Sequence, residues 1–273
     1  MRSRSRRFGV VSQVFCSGDL EAGAAAAASA GVDGMSVETG ELRRLGADRT
    51  RRVFSDAGLA VSSVISIGPA VECGGTGPID AELEILAAAA ALGATGVLAS
   101  TGPRGDYLPR EADARCRAWL ERLAPRAHDL GVVVMVEPMF PMMRAHSYVH
   151  TLAHALELVA GLDGATVVVD TGHLWWDSRL VELFETHVED IGTVQLTNIS
   201  SRALDRLRYS RAPFEDGEVP LRDLVVAFDA AGYQGWYEHE VLTTEPEDRV
   251  QFVRDSLAWF DAIWSEGSTC GSI

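Results

Sequence analysis

Four oxygen-bearing side chains stand at or near the ends of four apolar, strand-like runs of this 273-residue chain. The runs read VVVMVE, TVVVD, TVQL and WYEHE, and the side chains belong to Glu137, Asp170, Gln195 and Glu240. Parallel strands buried on both faces are apolar throughout, and barrel enzymes keep their chemistry at the C-terminal ends of such strands. Carboxylate and amide oxygens are the donors that hard divalent cations take. The pattern therefore predicts a site for one divalent ion, with Mg²⁺ or Mn²⁺ favoured and Co²⁺ or Zn²⁺ as alternatives.

Two of these residues, Glu137 and Glu240, are also candidates for acid–base catalysis. Two carboxylates beside one cation suit a reaction in which one removes a proton next to a carbonyl group and the other returns a proton. Burial and the cation move a carboxyl pKa in opposite directions, which provides the tuning that such a reaction needs. Along the strand, Glu238 points the same way as Glu240 but lies deeper, so Glu240 is the preferred ligand. His239 points to the opposite side and is predicted to pack against helices.

A histidine follows the second of the four donors after a short step. In the sequence DTGH, His173 comes three residues after Asp170, so both side chains are expected to reach one site. The alternative for Asp170 is that it caps the next helix. The apolar loop Met139–Met143 is predicted to cover or narrow the pocket together with Trp175 and Trp176. The alternative for these apolar side chains is packing between helices or subunits.

Strand-like and helix-like segments alternate along the chain. The predicted strands are Phe8–Phe15, Gly34–Glu38, Val61–Ile67, Gly96–Ser100, Val132–Glu137, Thr166–Asp170, Thr193–Leu196 and Trp236–Val241. The predicted helices are Leu20–Ala30, Leu42–Ala57, Ile79–Leu92, Arg110–Leu130, Tyr148–Leu162, Ser178–His187, Leu221–Ala231 and Glu247–Trp264. Eight strands, each followed by a helix, predict an α/β fold, a single (β/α)₈ TIM barrel over residues 1–273 with flexible ends at about 1–7 and 266–273. A doubly wound sheet is the alternative, disfavoured because no GxGxxG follows the first strand.

Charge and composition argue against several classes of protein. The chain has 24 Lys and Arg against 39 Asp and Glu, and a net charge of −15 disfavours a nucleic-acid partner. No apolar run reaches the ~18 residues that a membrane span needs. The basic start MRSRSRR precedes an apolar run that is short for a signal peptide. The four cysteines have no paired spacing and are predicted to be reduced thiols. A cytoplasmic protein acting on a small molecule is expected.

The chain resembles the xylose-isomerase-like barrel superfamily, which includes sugar epimerases, inosose dehydratases, hydroxypyruvate isomerases and metal-dependent apurinic endonucleases. Four segments carry the resemblance: VVVMVEPM, VVVDTGH, TVQLTN and DGEVPLRDLVVAFDAAGYQGWYEHEV. The last looks like the family's GYxGxxxxE strand, which selects Glu240 because it lies five residues after Gly235. The resemblance implies that His173 and Arg202 contact substrate and that the chain forms a homo-dimer or homo-tetramer. It also implies a metal set formed by Glu137, Asp170, Gln195 and Glu240.

Several details are most similar to hydroxypyruvate isomerases. These are the Glu-Pro pair at Glu137, Gln195 as third ligand, an Arg seven residues later at Arg202, and the GYQGW segment. The endonucleases resemble the chain less, because they need three metals and many histidines. The ends of the third and fourth strands, SIGPAV and ASTGPRG, contain no histidine.

The expected function is therefore a metal-dependent isomerase or epimerase of a small hydroxy-carbonyl compound, of the hydroxypyruvate or keto-sugar type, which works by enediolate proton transfer. Two alternatives stay open. One is a metal-dependent lyase or dehydratase of the inosose type, which removes the same proton and then expels a β-hydroxyl group. The other is a degenerate, non-catalytic barrel that binds a ligand or a partner.

Overall fold

Eight parallel strands close into a barrel in the computed structural model of the protein, which describes residues 6–16, 18–200, 210–242 and 248–266. Two more strands, the eighth and ninth in chain order, pair antiparallel as a small separate sheet. The ten strands are β1 (Arg7–Val10), β2 (Gly34–Glu38), β3 (Ala60–Ile67), β4 (Gly96–Ala99), β5 (Val133–Val136), β6 (Ala165–Asp170), β7 (Ile191–Leu196), β8 (Asn198–Ser200), β9 (Ser210–Ala212) and β10 (Trp236–His239). The predicted TIM barrel is confirmed, and the closed sheet excludes the doubly wound alternative.

The order of strands around the barrel is β1-β10-β7-β6-β5-β4-β3-β2. It follows the chain, apart from the small sheet of β8 and β9 that is inserted between β7 and β10. One half of the barrel is therefore made of β5, β6, β7 and β10 side by side. These are the four strands that carry the predicted oxygen donors at their C-terminal ends.

Helices surround the sheet, as the alternating pattern predicts. They are α1 (Leu20–Ala30), α2 (Thr39–Leu45), α3 (Ala47–Ala57), α4 (Ala70–Cys73), α5 (Asp80–Leu92), α6 (Pro109–Asp129), α7 (Leu152–Val159), α8 (Thr171–Leu174), α9 (Leu180–Thr186), α10 (Leu221–Ala230) and α11 (Arg249–Glu266). Helices α1 and α5 end at Gly31 and Gly93, whose positive φ angles of 88° and 71° suit glycine best. Within the described residues, none of the helices combines the length and apolar character needed to cross a bilayer.

Several boundaries differ from the sequence prediction. The predicted helix Tyr148–Leu162, for example, is the shorter helix Leu152–Val159. The first strand ends at Val10 instead of Phe15, because Ser12–Val14 turns into a 3₁₀ helix. The predicted helix Leu42–Ala57 is two helices, because Gly46 between them takes φ 75° and ψ 159°, which no helix contains. At the predicted flexible ends, Arg7 is already in β1 and α11 reaches Glu266, while residues 1–5 and 267–273 lie outside the described part.

The main apolar core lies between the barrel and its helices, and a small second cluster of Leu98, Met135 and Val168 is separate from it. Near the N-terminal ends of the strands, Trp236 of β10 lies against β1 and β2. A Cβ added at Gly34 would lie only 2.7 Å from Cη2 of this indole, so glycine is required there. The guanidinium of Arg7 lies 4.8 Å from the centre of the Trp236 ring. The indole, only 4% exposed, therefore helps to close the N-terminal end of the barrel.

Candidate metal centre

The four predicted donors lie on four neighbouring strands, each at the C-terminal end. Asp170 is the last residue of β6 and Gln195 the last but one of β7, while Glu137 and Glu240 directly follow β5 and β10. The sheet register sets Asp170 beside Gln195. Because the four strands are consecutive around the barrel, the donors form an arc with Glu137 at one end and Glu240 at the other.

The tightest part of this arc contains a histidine. Ligand atoms of Glu137, Asp170 and His173 all lie within 4.8 Å of one another, and all three residues are buried. Nε2 of His173 is 3.4 Å from Oδ2 of Asp170 and 3.8 Å from Oε1 of Glu137. The short step from Asp170 thus brings His173 to the same site, as predicted. The three residues together could hold a metal ion, and substrate contact by His173 stays a prediction.

Three oxygen atoms of the arc are buried without a hydrogen-bond partner among the described residues. They are Oδ2 of Asp170, Oε1 of Gln195 and Oε2 of Glu240. Buried polar atoms are almost always paired, and each unpaired one costs about 1–3 kcal/mol. When the carboxylates are ionised, none of these three oxygens can donate a hydrogen bond. Each can then accept a hydrogen bond or bind a cation. These orphaned oxygens are donors of the kind that a hard divalent ion takes. Among the three residues, Asp170 belongs to the compact group of ligand atoms with Glu137 and His173, and Glu240 does not.

The turn after β6 explains how Asp170 can serve two purposes. Its Oδ1 accepts a hydrogen bond from the backbone N–H of Gly172 at 2.8 Å and so caps the short helix α8, which leaves Oδ2 for a ligand. A Cβ at Gly172 would lie 2.4 Å from Cγ2 of Thr197, so this close turn needs glycine. The hydroxyl of Thr171 joins the turn to β7 by donating to the carbonyl of Thr197 at 2.8 Å. Both the cap and the candidate ligand predicted for Asp170 are therefore present in one side chain.

Burial and neighbouring carboxylates raise the pKa of the two glutamates of the arc in the metal-free protein. Burial, and next the charge of Asp170, raise the pKa of Glu137 to about 8, although Arg211 acts in the opposite direction. Burial and Asp170 also raise the pKa of Glu240 well above its ordinary value, again against Arg211. Burial lowers the pKa of His173. A cation would supply the positive charge that these clustered acids need in order to ionise together.

An arginine that the sequence did not single out reaches the site from β9. Nη1 of Arg211 donates to Oγ1 of Thr197 at 2.7 Å and to the backbone carbonyl of Glu240, and Nη2 lies 3.8 Å from Oε1 of Glu240. The arginine named from the sequence, Arg202, lies outside the described residues, and its substrate contact stays a prediction. The sequence between β7 and Arg211 also contains Arg202, Arg206 and Arg208, and spacing gives no reason to choose one of these arginines over another.

A second residue was missed although its signal was present. Glu38 ends β2 after an apolar run, as Glu137 follows β5. Burial raises the pKa of Glu38, opposed by a hydrogen bond with Gln13. Its Oε1 is buried without a partner among the described residues. Glu38 is a further acid at a C-terminal strand end of the barrel.

The prediction for His239 concerns its packing. His239 points away from Glu238 and Glu240, is fully buried, and packs on Phe214 and Phe252 with ring centres 5.2 and 5.4 Å away. Its predicted packing role is confirmed.

The apolar residues near the site remain open to more than one role. Indole Nε1 of Trp176 donates to the backbone carbonyl of His173 at 2.9 Å, so the ring lies beside the site. Trp175 is 39% and Met142 58% exposed, which leaves both free to line an entrance or a contact with another subunit. That this loop narrows the pocket stays a prediction.

Comparison with known proteins agrees with this architecture. The family model described as xylose isomerase-like TIM barrel matches residues 24–263. The sequence matches no curated protein significantly. A protein from Sinorhizobium meliloti 1021 superposes with a TM-score of 0.78 at 20% identity, over 98% of this chain and 100% of that one.

Two solved structures with named activities are also similar. For the 3-keto-D-glucoside 4-epimerase of E. coli the TM-score is 0.74 at 20% identity, over 94% of this chain and 99% of that one. For a D-allulose 3-epimerase from Methylomonas sp. the TM-score is 0.77 at 18% identity, over 94% and 98%. At this level of identity, the likenesses establish the shared fold.

Proposed function

Because the chain belongs to the xylose isomerase-like TIM barrel family, we propose that it is a divalent-metal-dependent isomerase or epimerase of a small hydroxy-carbonyl compound. One observation carries the proposal: four neighbouring strands of the barrel each end in an oxygen donor, and three of these donors have a buried oxygen without a partner among the described residues. A site of this composition suits Mg²⁺ or Mn²⁺.

Each residue of the site has a distinct part in this proposal. The ion would be held by Glu137, Asp170, Gln195 and Glu240. When bound, it supplies positive charge that favours loss of a proton from the carbon next to a carbonyl group. Glu137 and Glu240, at opposite ends of the arc, are placed to act from two sides: one takes the proton and the other returns one, which inverts the carbon or moves the carbonyl.

The remaining contacts would orient the substrate. Nε2 of His173 lies within 4 Å of both Asp170 and Glu137, so a substrate oxygen near the carboxylates would also be near this ring. Arg202 is proposed as a second substrate contact from the resemblance alone. Arg211 binds the backbone of Glu240 and Oγ1 of Thr197, so it holds the strand end that carries one acid–base residue.

The substrate class follows from the same features. Gln195, the Glu-Pro pair at Glu137 and the GYQGW segment favour hydroxypyruvate or a similar three-carbon compound. The named activities of the similar structures, on D-allulose and on a 3-keto-D-glucoside, make keto sugars the second class to test. Both classes contain a hydroxyl-bearing carbon next to a carbonyl group, as the proposed proton transfer requires.

Deuterium exchange tests the proposed reaction directly. The Mn²⁺-loaded protein is incubated in D₂O with hydroxypyruvate, D-allulose or a 3-keto-D-glucoside, and NMR follows deuterium at the carbon next to the carbonyl. At least one substrate is expected to incorporate deuterium, and E240Q should slow this by at least about a hundredfold, because general acid–base groups contribute about 10²–10⁴. The variant E84Q, on the exposed face of α5, is the matched control and should react as the wild type does.

The outcomes separate the proposed reaction from the alternatives. Undiminished exchange in E240Q would refute the acid–base role of Glu240. Loss of water from the substrate would identify a dehydratase. A wild-type protein that retains no Mn, Mg, Co or Zn after soaking would favour a non-catalytic barrel.

A further inference from the structure

A third glutamate, Glu238, lies directly below the arc, inside the barrel. Glu238 of β10 is fully buried and is the register partner of Gln195 on β7. Its Oε1 accepts hydrogen bonds from Oγ of Ser62 at 2.5 Å and Oγ of Ser63 at 2.8 Å. Its Oε2 accepts a longer hydrogen bond from Nε2 of Gln195 at 3.4 Å. The two serines on β3 therefore hold one oxygen of Glu238 and leave the other for the amide.

The contact with Glu238 decides which end of the Gln195 amide remains for a ligand. An amide has a donor end and an acceptor end, and only the oxygen can bind a cation. Nε2 of Gln195 donates to Oε2 of Glu238, so the donor end of the amide faces the glutamate. Oε1 of Gln195 is then the atom left over, and it is buried without a hydrogen-bond partner among the described residues. On its other side, Gln195 neighbours Asp170 in the sheet register.

We infer that Glu238 is a positioning residue of the metal centre, which holds the Gln195 amide so that its oxygen is presented to the ion. This inference rests on the metal site of the proposed function. Glu238 itself binds no ion in this arrangement, because both of its oxygens are engaged by Ser62, Ser63 and Gln195. Residues that orient a metal ligand in this way typically change metal affinity 10–100-fold when they are replaced.

A double-mutant cycle with Mn²⁺ tests the inference. Isothermal titration calorimetry measures Mn²⁺ binding to the wild type, E238L, Q195A and the double variant E238L/Q195A. Leucine has a similar volume but no acceptor, so E238L should weaken Mn²⁺ binding about tenfold or more. In the Q195A background, replacing Glu238 by leucine should weaken Mn²⁺ binding by less than about twofold, because the ligand that Glu238 orients is already absent. The variant M135L, another fully buried side chain of the barrel, is the packing control and should bind Mn²⁺ as the wild type does.

Each result has a separate meaning. If E238L binds Mn²⁺ as tightly as the wild type, or loses the same factor in both backgrounds, Glu238 does not act through Gln195 and the inference is wrong. If the wild type itself binds no Mn²⁺, the proposed function fails instead.

Circular dichroism shows whether E238L folds. If it does not fold, a second measurement tests the inference without any variant. It is the crystal structure of the Mn²⁺-loaded wild type. Gln195 bound to the ion through oxygen, with its nitrogen on Glu238, supports the inference. Glu238 in the coordination sphere, or Gln195 turned away from the ion, overturns it.

Discussion

The clustered acids should make the metal-free protein less stable as the pH rises, and replacing Glu137 by glutamine should remove much of this effect. The pKa of Glu137 is raised from 4.5 to about 8 in the folded protein. Because the folded state holds this proton more tightly than the unfolded chain, the cost is absent well below pH 4.5, grows above it, and is complete above pH 8. At about 1.4 kcal/mol per pKa unit, the cost is about 3 kcal/mol at pH 7 and below about 1 kcal/mol at pH 5.

Urea unfolding in the presence of EDTA measures this difference. E137Q cannot ionise at this position, so its free energy of unfolding should exceed that of the wild type by about 3 kcal/mol at pH 7 and by much less at pH 5. The exposed substitution E84Q should change neither value. Saturating Mn²⁺ should reverse the order at pH 7, because only the wild type retains the full ligand set. An advantage of E137Q that is equal at both pH values, or absent, would refute the charge argument.

Three further outcomes are expected. Mn²⁺ at ~100 times its dissociation constant should stabilise the wild type by about 3 kcal/mol, which raises the melting temperature in differential scanning calorimetry by roughly 6–12 °C. The variant D170N should lose this gain, and an equal gain in D170N would contradict the proposed metal site. In competition titrations, Q195H should shift the preference from Mg²⁺ towards Zn²⁺ or Co²⁺, since imidazole suits these ions better than an amide oxygen; an unchanged ratio would exclude Gln195 as a ligand. Mass spectrometry after iodoacetamide at pH 8 should find Cys116 alkylated only in unfolded protein, because it is fully buried and burial raises its pKa to about 12; rapid native alkylation would be inconsistent with this burial.

The sequence predicted the candidate site best at the C-terminal ends of buried strands. An apolar run interrupted by a polar side chain is visible in the sequence, and this pattern located Glu137, Asp170, Gln195 and Glu240 at the C-terminal ends of four barrel strands. Their role as metal ligands stays a prediction. The split at Gly46 could not be read in the same way, because the helix-forming residues continue on both sides of it. Strand lengths were predicted less well than strand positions, as at Val10.

Contacts between distant segments were beyond the sequence. Arg211 reaches Glu240 only because β8 and β9 form a hairpin between two barrel strands, and local spacing does not encode that path. Glu238 could be recognised as deeper than Glu240, but its contact with Gln195 depends on the register between β10 and β7. These two contacts therefore depend on how distant segments pair in the fold, which local sequence patterns do not show.

The last barrel strand, β10, carries side chains that contact three parts of the molecule. Trp236, Glu238 and Glu240 follow at intervals of two residues, so all three project to the same side. They are the closing indole, the carboxylate proposed to support the Gln195 amide and the carboxylate proposed for acid–base catalysis. A shift of one residue in the pairing register turns every side chain of a strand to the other face. Such a shift in β10 would therefore turn all three side chains away from the barrel interior at once. Loops beyond this strand could therefore be varied, in evolution or by design, while the side chains on β10 keep their positions.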